Sequence, residues 1–187
     1  MSATPTIRSV KARAVTTPLK RPLKNAFGVF VAAPLVLIDV TTDQGVTGRA
    51  YIFAYAEMTQ KPLVQLIEAI GRDLAGRAIA PFELMAAMDA KFRLLGWQGL
   101  VGMAVSGLDM AFWDALGQLA GKPVVELLGG TARPMRAYDS YGVVDPSAER
   151  PAPLARAGLS RHQDQGRRRR CRQGRTRGEG RARAARP

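Results

Sequence analysis

The stretch GLDMAFWDALGQLAGKPVVELLGG, residues 107–130, carries the pattern from which the architecture can be read. Together with the residues just before it, it sets Val101, Val105, Leu108, Phe112, Leu116 and Leu119 at steps of three or four, so one helix face is apolar throughout and must be buried. Ala104, Gly107, Ala111 and Ala115 form a second stripe at the same period. Its side chains are all small, which lets a neighbouring backbone come close. Two packed faces make this the central helix of a domain. Gly121 caps its end and Pro123 forbids continuation. A short apolar turn, Val124 to Leu128, then reaches a chain reversal at Gly129-Gly130. Trp113, Asp109 and Asp114 read as packing and internal hydrogen bonding, since aromatic residues at helical spacing are usually core.

Upstream, Ile7 to Thr17 alternates Ile7, Ser9, Lys11, Arg13 and Val15 against Val10, Ala12 and Ala14, with branched residues near both ends, and predicts a first strand, ended by Pro18. Lys20 to Pro34 carries Gly28 and two prolines among Leu23, Phe27, Val29 and Phe30. Exposed loops rarely hold such an apolar cluster, so this segment is expected to cover something. Leu35 to Thr42 predicts a second strand, Asp43-Gln44-Gly45 a turn, and Val46 to Phe53 a third strand, giving an antiparallel meander. Thr59 is placed to cap a helix through Leu63, Leu66, Ile67, Ile70 and Leu74, with Pro62 in its first turn. Pro81 opens another through Phe82, Leu84, Met85, Met88, Phe92 and Leu95, stopped at Gly96. Both pack on the central helix. The fold class is α+β, a three-stranded antiparallel meander followed by a helical bundle.

The chain of 187 residues has room for one ordinary domain, or one domain plus a fragment. Its formal net charge of +13 is unevenly spread. Residues 1–150 hold 16 Lys+Arg against 13 Asp+Glu, whereas the last 37 hold 12 arginines against 2 acids. The basicity therefore belongs to the tail. No run of about 18 apolar residues predicts a membrane span, and Met1 to Arg13 lacks the apolar core of a signal peptide, so a cytoplasmic protein is expected. Cys171 is the only cysteine, which excludes an internal disulfide and a Cys/His metal cluster.

The quoted stretch resembles the helix that closes the N-terminal capping domain in the enolase superfamily, within the mandelate racemase and muconate-lactonizing enzyme group. Similarity to the mandelate racemase members runs from Arg8 to Ser140 and includes the strings APLVLID and FAY. The resemblance implies a capping domain over residues 1–130, a first barrel strand within 131–146, centred on Met135 to Val144, and truncation before the (β/α)8 barrel, which alone needs about 250 residues. In the group, Mg²⁺ and a lysine or histidine base from the barrel carry the abstraction of a proton α to a carboxylate. The ligands of that metal come from barrel strands beyond this chain, so no catalytic or metal-binding residue is assigned and Mg²⁺ is not expected to bind it. Asp139 is not among the family's metal ligands, and His162, the only histidine, has no counterpart. The loops after the first and third strands close the barrel mouth in the group. Carried over, they place Leu23, Phe27 and Phe30 in one and Phe53 and Tyr55 in the other, with Ser140 where the first barrel strand meets substrate. These residues suit a hydrophobic or aromatic 2-hydroxy acid. An apolar surface left without its barrel implies self-association.

From Pro151 onward there is no Val, Ile, Phe, Met, Tyr or Trp, and residues 147–187 are expected to be a disordered, aberrant tail. Their Arg, Gly, Ala and Pro bias is that of a G/C-rich gene read in the wrong frame. Regrouping the codons from Gly158 to Gln165 permits GFRGIKIK, similar to the Lys-x-Lys strand of the group, with Gln163 and Gln165 restricted to Lys or Arg. The competing reading is a small α+β module with an arginine-rich arm for RNA or DNA. Arginine clusters do bind phosphates, but this arm lacks aromatic residues to stack bases, so no specific nucleic-acid partner is expected.

Overall fold

The computed structural model describes residues 4–25 and 28–135. The expectations for Phe27, Ser140, the barrel strand beyond Met135 and the tail lie outside the described residues. Three strands come first: β1 (Ile7–Asn25), β2 (Gly28–Thr42) and β3 (Thr47–Phe53). They form an antiparallel meander in the order β1-β2-β3. The β2–β3 register runs from Leu35 opposite Phe53 to Thr41 opposite Thr47. Among the described residues four helices follow: α1 (Glu57–Leu74), α2 (Pro81–Phe92), α3 (Leu100–Ala120) and the single turn α4 (Val124–Leu127).

The apolar run in β2 resolves into a period of two. Val36, Ile38, Val40 and Thr42 are buried, whereas Leu35, Leu37, Asp39 and Thr41 are half-buried on the other face. On that other face Asp39 meets Arg13 of β1 at 3.0 Å and Arg49 of β3 at 3.6 Å, so one carboxylate links all three strands. The buried face rests on α1 and α3. Leu63, Ile67, Ile70 and Leu74 of α1 and Val105, Leu108 and Phe112 of α3 join it in one core. The N-terminus is tied in separately. Ile7 N donates to Arg77 O and Ile79 N to Pro5 O, and Thr6 donates through its amide and its hydroxyl to the Asp43 carboxylate.

The small stripe of α3 proves as important as the large one. Ala104, Ala111 and Ala115 are fully buried and Gly107 is buried with them, because β3 lies against this face. Gly48 in β3 has no room for a side chain: a Cβ there would collide with the Ala111 carbonyl oxygen and sit 2.7 Å from Ala115 Cβ and N. A Cβ on Gly107 would come within 2.6 Å of the Cδ1 atoms of Ile38 and Ile52. By length and composition α3 could cross a membrane. Its buried face is matched to the sheet instead, as in the core helix of a globular domain.

Polar groups of α3 also finish the outer edge of β3. Asp114 Oδ2 accepts from Arg49 N at 2.7 Å, and Gln118 Nε2 donates to Thr47 O at 3.0 Å and to Asp114 Oδ2 at 2.8 Å. Two side chains thus take the place of a fourth strand where an exposed edge would otherwise recruit another chain. The packing and hydrogen-bonding role expected of Asp114 is met in this way.

Several boundaries differ from the sequence reading. Pro18 does not end β1, which continues through Pro22 to Asn25, and the supposed loop at Lys20 to Pro34 is largely a ribbon of β1 and β2. β1 is an edge strand, and two prolines four residues apart leave their missing N–H groups on one side, so no ladder bond need be lost. Thr59 is not the cap of α1. The helix begins at Glu57 after Ala56, Thr59 lies in its first turn, and Pro62 lies one turn deeper than expected. Phe82 and Leu95 are exposed: Phe82 stands half a turn from the buried line Leu84–Met88–Phe92, and Leu95 lies past the end of α2.

The seam between α3 and β3 generates a direct prediction. Gly48→Ala meets main-chain atoms that cannot rotate away, so it should destabilise the domain by about 3 kcal/mol, the upper end for overpacking. Urea unfolding should show a lower midpoint with an unchanged slope.

Candidate functional site

The ribbon and the end of β3 converge at one end of the sheet. Phe30 on β2 and Phe53 on β3 stack edge to face with ring centroids 6.0 Å apart, and Phe53 meets Tyr55 in the same way at 4.9 Å. Three of the six candidate residues are therefore brought together. Leu23 lies on the β1 arm of the ribbon and is half-buried. Phe30 and Phe53 are half-buried as well, because each ring shields the other. Tyr55 is the exposed member, and Val29 and Val31 are the exposed valines of the ribbon.

Tyr55 has φ 61°, the one positive value outside glycine among the described residues. Ala56 N donates to Ala54 O at 2.7 Å across it, closing a three-residue turn of the strained kind. A left-handed conformation for a bulky residue costs about 1–3 kcal/mol and persists only where its surroundings hold it. Here the constraint projects the phenol outward from the end of β3.

Alongside lies an open groove of about 540 Å³ between β3 and the first half of α3. Tyr51, Phe53, Tyr55, Trp97, Met103 and Ser106 contribute to its lining. The indole N–H of Trp97 is buried and has no hydrogen-bond partner among the described residues. Sequence reasoning passed over Trp97 and Ser106. The available signal was the glycine spacing around Trp97, where Gly96 and Gly99 take positive φ and Gly102 packs under the Trp97 carbonyl.

Titratable chemistry in this region is sparse. Among the described residues no three His, Cys, Asp or Glu side chains converge to hold a metal ion. Asp109 on α3 is partly buried, and burial raises its carboxyl above the usual range against the opposing effect of a hydrogen bond from Trp113. The Trp113 ring is fixed in turn by Phe82, edge to face at 5.2 Å. This arrangement matches the packing role read from the sequence and offers no acid/base pair.

Residues 7–129 match the family model described as the mandelate racemase / muconate lactonizing enzyme N-terminal domain. The chain belongs to that family. A crystal structure of an enolase from Bradyrhizobium, complexed with magnesium and mandelic acid, is 75% identical with TM-score 0.73, over 78% of this chain and 40% of that one. A magnesium-bound enolase from the alphaproteobacterium BAL199 is 40% identical with TM-score 0.70, over 74% of this chain and 38% of that one. A D-galactonate dehydratase family member from Pseudarthrobacter chlorophenolicus is 35% identical over 125 residues, 60% of this chain and 28% of its own length. The chain thus spans less than half the length of these relatives. The meander and helices are the family's capping domain.

Asp109 gives this capping domain a pH signature. A carboxyl whose folded pKa is raised binds more protons folded than unfolded between the two values, so its contribution to stability falls as pH rises through that window. Asp109→Asn keeps an acceptor for Trp113 without the buried charge. It should raise the melting temperature at pH 7, and the gain should shrink as pH falls toward about 4, where the unfolded carboxylate titrates.

Proposed function

We propose that residues 1–130 are the cap of a mandelate racemase-like enzyme, and that the β1–β2 ribbon and the turn at 54–56 form the lid over its substrate. The aromatic trio Phe30, Phe53 and Tyr55 carries this reading, because it gathers both segments into one apolar surface ending in a phenol hydroxyl. Such a surface accommodates the ring of a small aromatic 2-hydroxy acid and leaves one hydroxyl for its polar end. The Bradyrhizobium relative complexed with mandelic acid supports the same substrate class. Leu23, Phe27 and Ser140 complete the proposed substrate contacts.

The activity proposed for the complete enzyme is abstraction of the α-proton of a 2-hydroxy carboxylate, leading to racemisation or dehydration. When bound, Mg²⁺ would stabilise the charge developing on the carboxylate. We assign the metal and the base to the barrel of the complete enzyme. The cap's own residues exclude water and orient the ring. We read residues 131–146 as the start of the first barrel strand and 147–187 as a wrong-frame peptide, so these 187 residues alone are inactive.

Two measurements test the proposal. The purified chain with Mg²⁺ should not exchange the α-proton of mandelate with D₂O above a no-enzyme control. Residues 1–134 fused to the barrel of the Bradyrhizobium relative should restore turnover, with Phe53→Ala or Tyr55→Ala raising KM by about 10-fold, the loss of roughly one buried aromatic contact. Exchange by the chain alone, or a fusion whose KM ignores both substitutions, would contradict the reading.

A further inference from the structure

We propose that the first turn of α1 is the joint that positions both lid segments, with Gln60 and Thr59 as its positioning residues; the inference rests on the lid reading above. Gln60 is one of two buried polar side chains among the described residues, 6% exposed, and stands on the apolar line of α1 three residues before Leu63. Its amide nitrogen donates to Val15 O at 3.0 Å and to Leu35 O at 2.9 Å, while its oxygen accepts from the Thr16 hydroxyl at 3.4 Å. Both N–H donors of one side chain are thus spent on two adjacent strands, at the root of the ribbon. Beyond Ala12 and before Pro34 the ribbon leaves the core: residues 13–18 of β1 and 28, 29 and 31 of β2 are exposed.

The neighbouring residue holds the other segment. The Thr59 hydroxyl lies 2.6 Å from Ala54 O and 2.7 Å from Ala56 O, sharing its hydrogen between the carbonyls on either side of Tyr55. Ala54 N in turn donates to Pro34 O at 2.8 Å, next to the Leu35 carbonyl that Gln60 holds. The hydrogen bonds form a closed circuit from ribbon to turn to helix and back. Two consecutive residues of one helix therefore fix where Phe30 stands relative to Phe53 and keep Tyr55 at positive φ. Without the Thr59 hydroxyl the turn is free to relax to negative φ and withdraw the phenol from Phe53.

Amide hydrogen exchange on the full chain tests this. In Gln60→Leu, exchange in residues 16–25 and 28–34 should accelerate at least tenfold, while residues 36–40 and 104–115 stay within twofold of wild type. In Thr59→Val the acceleration should fall on residues 54–56 and spare 36–40, and Thr59→Ser, which restores the hydroxyl, should return to wild-type rates. Equal acceleration throughout the domain, or an unchanged ribbon, would overturn the proposal. Should Gln60→Leu fail to fold, the Thr59 pair decides alone: rates at 54–56 that do not separate Val from Ser refute the joint. Exchange is read without substrate, so a failed lid reading would appear in the KM of the fused enzyme and leave these rates untouched.

Discussion

The close approach of α3 to β3 is the constraint on which the rest of the domain depends. A helix and a sheet normally stand apart by the thickness of their side chains. Here Gly48 faces the Ala111 carbonyl and Ala115, small against small, and Gly107 faces Ile38 and Ile52, small against large. That distance lets the short side chains of Asp114 and Gln118 reach the outer edge of β3. It also holds Phe53, at the end of the same strand, beside the groove lined by Trp97 and Met103. One run of small residues thus supports both a closed sheet edge and the base of the proposed site.

The site itself combines a rigid floor with projecting parts. β3 is fixed by its register with β2 and by α3, whereas the ribbon leaves the core beyond Ala12 and before Pro34. Binding elements in enzymes are commonly drawn from segments with few buried contacts, because they must move while the scaffold does not. The polar bonds at the N-terminal turn of α1 fit this division. They secure the root of the ribbon and the turn at Tyr55 without burying either in the core, and the strain at Tyr55 is opposed by one hydroxyl.

Much of the core was legible because periodicity reports burial directly. The large and small stripes of α3, the Asp43–Gly45 turn and the meander all follow from spacing and turn chemistry. The ribbon was not legible, since a proline reads as a terminator until the strand is known to lie at an edge. Gln60 was overlooked although it occupies a position on the buried line of α1, because a glutamine at that period gives no indication of its partners, which lie 45 and 25 residues away. The candidate residues Phe30, Phe53 and Tyr55 came from family resemblance, and their mutual contact required the register of β2 and β3. Trp97 depends on a loop with two positive-φ glycines, a geometry that local sequence does not specify uniquely.

The small stripe of α3 is matched to β2 and β3 atom by atom, and a double-mutant cycle can measure that match. Gly107→Ala should destabilise the domain by about 1–3 kcal/mol in the wild-type background. In an Ile38→Val, Ile52→Val background, which removes the two Cδ1 atoms nearest the new methyl group, the same substitution should cost less by at least about 0.5 kcal/mol, beyond the error of additive sites. An equal cost in both backgrounds would show that Gly107 does not pack against those isoleucines and would contradict the seam.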